Sequence, residues 1–226
     1  MRALLLDLDD TLLDFHQAER RSVAETMQVF GISPTAERIA VYSALNRKLW
    51  EGMEAGEITK QQLLSSRFAL FLERIGACAD DEGMEKDYEA RLRDSFYLVD
   101  GAIQTLTVLK KSYALYAVSN GTSKVQRNRI LKSGLAPFFQ GVFLSEEVGF
   151  AKPSAGFFEA VFSQIPYPKQ EALLIGDSLS ADIAGASAFG IRSVWLNRFG
   201  RERKQGIFVD MELRDIRNLP YLLNFL

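Results

Sequence analysis

Five short, almost wholly apolar runs, each ending in a polar cluster, constrain most tightly what this chain can fold into. They are Ala3 to Leu8, Ala114 to Val118, Gly141 to Leu144, Ala172 to Ile175 and Arg192 to Leu196. Apolar runs of this length, without polar alternation, read as strands buried on both faces of a parallel sheet. Helix-like stretches lie between the later ones, at Val125 to Lys132, Phe157 to Gln164 and Asp182 to Ala188. The alternation predicts an α/β fold with a doubly wound core.

From about Phe15 to about Tyr97 the texture changes. No strand-like run occurs there, and amphipathic segments take over, among them Arg20 to Phe30, Glu37 to Met53 and Lys60 to Arg74. Breaks fall at Gly31 to Pro34, at Gly56 and at Gly76. The expected organisation is therefore a core of residues 1–14 and 98–226, with residues 15–97 inserted as a helical unit after the first strand. The tail from Leu213 to Leu226 reads as a helix that closes the core.

Composition narrows the chemistry by exclusion. Lys and Arg number 27 against 29 Asp and Glu, a net charge of −2, which offers no electrostatic reason to bind nucleic acid or an anionic membrane. No stretch approaches the roughly 18 apolar residues of a membrane span. Cys78 is the only cysteine and His16 the only histidine, so a His/Cys zinc site is excluded. Without a Gly-x-Ser-x-Gly elbow a serine triad has no support either. A single cysteine fits a reducing cytoplasm. Carboxylate chemistry remains.

The carboxylates stand where strands end. Asp7-Leu8-Asp9-Asp10-Thr11 closes the first apolar run and Gly176-Asp177-Ser178-Leu179-Ser180-Ala181-Asp182 follows the fourth. Ligand sites of open parallel sheets lie at the carboxyl ends of strands. Carboxylates held close raise one another's pKa unless a cation compensates, and an all-oxygen donor set favours magnesium. Read alone, Asp7 and Asp9 also fit a solvated strand-end turn. Asp182, one turn into the following helix, is either a helix cap or part of the metal shell. Ser119-Asn120-Gly121, after the second run, supplies a hydroxyl and loop N–H groups for a phosphate-sized anion, although such a tripeptide by itself is a turn. Lys152, in Gly149-Phe150-Ala151-Lys152-Pro153, can neutralise a phosphoryl oxygen, and Pro153 suits the first turn of the next helix.

In their order along the chain, Asp7-x-Asp9-x-Thr11, Ser119, Lys152 and Gly176-Asp177 with Asp182 resemble the four motifs of the haloacid dehalogenase-like hydrolases. The resemblance spans the whole chain. It implies a Rossmann-like doubly wound parallel sheet with an inserted helical cap that moves as a lid, and Mg2+ as cofactor. It implies that Asp7 attacks phosphorus to form an aspartyl-phosphate, while Asp9 protonates the leaving oxygen and then deprotonates the hydrolytic water. Ser119 and Lys152 would hold the transferring phosphoryl group beside Thr11, Asn120 and Gly121. Asp7, the Asp9 main-chain carbonyl and Asp177 would hold the metal, supported by Asp182. Asp9 favours a phosphoester over an alkyl halide, whose departure needs no proton.

Further stretches are similar to the noncanonical pyrimidine nucleotidases: Asp9 to Phe15, Leu49-Trp50 through Gly56 to Thr59 and Arg67-Phe68, Ser145 to Gly149, and Trp195-Leu196-Asn197. This implies a small phosphomonoester, a nucleoside 5′-monophosphate, as substrate. Tyr42, Trp50, Phe68 and Phe71 offer aromatic faces to a base, but aromatics spaced along amphipathic helices mostly pack against one another. Trp50, near Gly52 and Gly56, is the expected exception, with Arg67 or Asn46 supplying polar contacts. A sugar-phosphate phosphatase or phosphomutase keeps the same core motifs, and a catalytically silent binding protein on this fold would have lost one of them. Monomer and homodimer are both compatible with the sequence.

Overall fold

Each apolar run is a strand in the computed structural model, which describes residues 1–225 and leaves out Leu226 of the expected closing helix. The strands are β1 (Ala3–Leu6), β2 (Ala114–Ser119), β3 (Gly141–Leu144), β4 (Ala172–Gly176) and β5 (Arg192–Leu196), joined by a sixth, β6 (Met211–Leu213). They form one all-parallel sheet in the order β3-β2-β1-β4-β5-β6. The chain turns back on itself between β1 and β4, the position at which doubly wound sheets open a crevice at their carboxyl ends. β1 ends two residues before its apolar run does, at Leu6. The edge strand β6 has three half-buried residues and pairs only with β5.

Alternation along the strands builds two cores. Leu4, Leu6, Leu115, Ala117, Leu173, Ile175, Val194 and Leu196 face one way, onto Leu106 and Leu109 of α5 (Ala102–Leu109) and Leu219 and Leu223 of α10 (Leu219–Leu223). Leu5, Tyr116, Val118, Phe143 and Leu174 face the other, onto Phe157, Phe158 and Val161 of α8 (Ala155–Phe162). Each fully buried leucine is worth roughly 1.5–3 kcal/mol, so β1, buried at every position, is a fixed platform for the residues after it. Between them run α6 (Ser123–Lys132), α7 (Ser145–Val148) and α9 (Ala184–Phe189). The expected closing helix is short: Leu213 belongs to β6, and only Leu219–Leu223 is α-helical after a 3₁₀ turn at Ile216–Asn218. Pro153 does not open α8; it lies before the capping Ser154, and the Lys152–Pro153 peptide is cis.

The chain divides into two units, Met1–Asp14 with Tyr97–Leu226 and Phe15–Phe96. The second consists of α1 (Phe15–Val29), α2 (Ala36–Glu54), α3 (Lys60–Ile75) and α4 (Asp81–Arg93). A capping box between Thr59 and Gln62 starts α3, and Gly76, at φ 63°, ends it. Tyr42, Phe68, Phe71 and Tyr88 pack together, with centroids 5.1 Å apart for Tyr42–Phe68 and 5.4 Å for Tyr42–Tyr88. Three of the four aromatics considered as base-stacking groups are thus core of this unit, and Trp50 alone is only half-buried. Arg67 is buried too: both Glu85 carboxylate oxygens accept from it, at 2.6 Å for Nε, and Asn46 Oδ1 accepts at 3.4 Å. Asn46 in turn donates to Glu19 at 2.7 Å. Arg67 and Asn46, expected to touch substrate, are committed to each other and to internal carboxylates. Among the described residues no helix is long and apolar enough to cross a membrane.

Candidate active site

Asp7 is the first residue beyond β1, and its N–H still donates to Ile175 O of β4 at 2.9 Å. The turn that follows hangs on Leu8, whose carbonyl accepts from Leu12 and Leu13 N–H at 2.8 Å, with all three leucines buried. It closes through Asp10 at φ 57°, the only non-glycine residue with positive φ among those described. Aspartate tolerates that conformation better than most side chains. The turn aims Asp7 and Asp9 away from the sheet while keeping both close to it.

Lys152 reaches Asp7 from the opposite side. Its ammonium donates to Asp7 Oδ1 at 2.7 Å, Asp182 Oδ1 at 2.6 Å and the Val118 carbonyl at 3.2 Å, using all three protons. Its backbone is clamped by Asn120, which accepts from Lys152 N–H at 2.9 Å and donates to its carbonyl at 2.8 Å. Asn120, expected to bind substrate, thus places the lysine with its side chain. Asp182 approaches because Gly176 has no side chain: a Cβ there would collide with the Asp182 carboxyl group. The helix cap is Ser178, which accepts from Ala181 N–H at 3.0 Å, and Asp182 shares in it: its Oδ2 accepts from Ser178 N–H at 3.1 Å while a carboxylate oxygen joins the cluster. Asp177 is held at its carbonyl by the buried Trp195 indole, 2.9 Å away, and at its carboxylate by Arg201, 2.6 Å away.

One ligand oxygen from each of Asp7, Asp177 and Asp182 lies within 4.8 Å of the others. Burial first, then Asp182 and Asp177, raise the Asp7 pKa well above the carboxylate range against the pull of Lys152. Burial followed by Asp10 and Asp182 pushes Asp177 up to about 7, with Arg201 opposing. Burial works against the Lys152 cation, yet Asp182 and Asp7 outweigh it and hold that pKa above its usual value. Lys152 and Arg201 set against three carboxylates leave one negative charge uncompensated, and an all-oxygen set of this size suits a hard divalent cation. The Asp9 carboxylate stands outside this cluster.

Thr11 is fully buried, and its hydroxyl has no partner among the described residues. The Gly121 N–H donates to Ser119 Oγ at 3.1 Å and is not left for an anion. Conversely, four residues outside the motifs enter the site. Gln126 Nε2 donates to Asp9 Oδ2 at 2.7 Å and to Ser119 Oγ at 2.9 Å. Arg129 Nη1 donates to Asp9 Oδ1 at 2.5 Å. Arg198 pairs with Asp14 at 3.1 Å and with Asp10 at 3.6 Å, and Arg201 follows on Asp177. The available signal was the i, i+3 spacing of Gln126 and Arg129, one helical face directly after the Ser119 loop.

A family model described as haloacid dehalogenase-like hydrolase matches residues 1–190. The Bacillus subtilis protein YfnB is 36% identical over 224 residues, 99% of this chain and 95% of YfnB. A crystal structure of YfnB bound to magnesium, which reveals interdomain movement, superposes with a TM-score of 0.94 over 99% of this chain and 98% of that one. The pyrimidine 5′-nucleotidase PynA of Streptococcus pneumoniae is 36% identical, covering 86% of this chain and 83% of its own. The pyrimidine 5′-nucleotidase YjjG of Escherichia coli is 28% identical, covering 97% and 96%.

Proposed function

The chain belongs to the haloacid dehalogenase-like hydrolases, and within that family we propose that it is a magnesium-dependent phosphomonoesterase working through a phosphorylated Asp7, with pyrimidine nucleoside 5′-monophosphates as its substrates in the cytoplasm. The observation that carries the reading is Asp7 at the end of β1 with one oxygen on Lys152, at 2.7 Å, and no partner among the described residues on the other. The second oxygen is the nucleophile. Lys152 keeps the carboxylate oriented and places a cation where negative charge grows on the phosphoryl oxygens. Ser119 donates its hydroxyl proton to the same group. Asp9, two residues along the turn, transfers protons. Covalent catalysis splits one difficult displacement into two easier ones.

Asp7, Asp177 and the Asp9 carbonyl are the groups proposed to hold magnesium, with Asp182 beside them. The bound ion would neutralise charge on the phosphoryl group and bring it to Asp7. Support comes from the all-carboxylate donor set and from the raised Asp177. A carboxyl whose folded pKa is about 7, above its ordinary 3.8, costs stability progressively as pH rises between those values. A cation bound to it removes that cost. Magnesium should therefore raise the melting temperature more at pH 8 than at pH 5, and Asp177→Asn should reduce the difference. Equal shifts at both pH values would remove Asp177 from the ligand set.

Support for the nucleotide is the likeness to PynA and YjjG. The core residues recognise a phosphoryl group, so the base must be read by other side chains, and half-buried Trp50 is the proposed stacking face. Aromatic stacking is worth about 1–3 kcal/mol per base, so Trp50→Ala should raise KM for a pyrimidine nucleotide by roughly 5- to 150-fold. KM for p-nitrophenyl phosphate should stay near wild type. Phosphate release across nucleotides and sugar phosphates tests the assignment. A sugar phosphate with the highest kcat/KM would overturn the nucleotidase reading and leave the phosphomonoesterase reading in place.

A further inference from the structure

We propose that Gln126 and Arg129 are positioning residues that aim the two polar side chains facing the phosphoryl group, Asp9 and Ser119. The inference rests on the phosphomonoesterase reading. Both residues project from one face of α6 and are buried, Arg129 completely and Gln126 to 1% exposure. Burying a guanidinium costs several kcal/mol unless it is paired, and apolar residues would fill the same space more cheaply. There Arg129 Nη1 donates to Asp9 Oδ1, at 2.5 Å, and to Gln126 Oε1, at 3.0 Å. Gln126 carries the constraint onward, its Nε2 bridging Asp9 Oδ2 and Ser119 Oγ at 2.7 and 2.9 Å.

The consequence for Ser119 follows from counting. A hydroxyl has two acceptor lone pairs and one proton. The Gly121 N–H, at 3.1 Å, and Gln126 Nε2, at 2.9 Å, occupy both lone pairs. The proton is left to be donated, which is the role a phosphoryl oxygen requires. Gly121 is what permits this approach, since a Cβ there would stand 2.5 Å from Gln126 Nε2.

For Asp9 the clamp serves two proton transfers. In the first, the Asp7 oxygen–phosphorus bond forms, the phosphorus–oxygen bond to the leaving alcohol breaks, and Asp9 gives that oxygen its proton. In the second, water attacks phosphorus and passes a proton back to Asp9, the aspartyl bond breaks, and inorganic phosphate leaves. One carboxyl must meet two oxygens at one place, so a loss of orientation taxes both steps.

Leaving-group dependence separates positioning from structure. Gln126→Met and Arg129→Met should lower kcat on a nucleoside 5′-monophosphate by about 100-fold with KM little changed, and Arg129→Lys should recover part of it. p-Nitrophenolate departs without a proton, so with p-nitrophenyl phosphate the first step is spared and the second slowed. Each variant should then release a burst of one nitrophenolate per active site before a slow steady state. Melting curves show that the variants are folded. Wild-type kcat in folded variants, or a loss of kcat without any burst, overturns the proposal. A wild-type protein that hydrolyses no phosphomonoester overturns the phosphomonoesterase reading and this inference with it, a result distinct from an active wild type beside unaffected variants.

Discussion

Asp7→Asn is expected to leave the protein folded and to lower kcat by about 10⁴-fold or more, the scale on which loss of a covalent nucleophile is felt. An amide keeps the shape of the carboxylate, and its carbonyl can still accept from Lys152, which lies 2.7 Å away. It cannot form the acyl-phosphate. Stability should move the opposite way. Burial, then Asp182 and Asp177, raise the Asp7 pKa, so the charged native form is held at a cost that grows as pH climbs above the unfolded value. The neutral isostere escapes this cost. The variant should melt no lower than wild type at pH 5 and higher at pH 8. Turnover near wild type, with mass spectrometry showing the amide intact, would end the covalent mechanism.

The strands were legible because burial on both faces leaves no polar position to interrupt them, and the motif carboxylates were legible because they stand where those runs stop. Elements with weaker burial escaped. Helix α4 has only Met84, Tyr88 and Leu92 as buried residues, spaced four apart in an otherwise charged segment. Strand β6 is a three-residue edge whose side chains are half-buried. Charged and amide side chains misled in both directions, since their partners are chosen by tertiary structure. Arg67 reads as a ligand contact and is an internal ion pair with Glu85. Arg198, Arg201 and Arg129 lie outside the motifs and sit on carboxylates of the site. Asn120 and Gly121 read as phosphate-binding, yet their hydrogen bonds fix Lys152 and Ser119.

Lys152→Met should be the single change that most damages stability, and it should lower turnover as well. The lysine is 2% exposed at its side chain and lies between Asp7 and Asp182, which are 9% and 1% exposed. Methionine fills similar space but leaves two buried carboxylates facing each other without a cation. Breaking a buried pair in this way costs about 3–5 kcal/mol. For a chain of this size each kcal/mol moves the melting temperature by about 2–4 °C, so a fall of roughly 6–20 °C is expected. Protonation offers a partial escape, because losing the cation raises the already high Asp7 pKa further. The deficit should therefore be largest at pH 8 and shrink toward pH 5. Magnesium offers another escape by supplying positive charge to the same cluster, so it should raise the melting temperature more in the variant than in wild type. It cannot restore turnover, because it does not replace the donor that orients Asp7. Removing one such preorganised donor costs about 10²–10³ in kcat, and the variant should stay at least that far below wild type in saturating magnesium. A melting temperature within about 2 °C of wild type at pH 8 without magnesium would show that some other group neutralises these carboxylates. The charge arrangement assigned to the site would then be wrong.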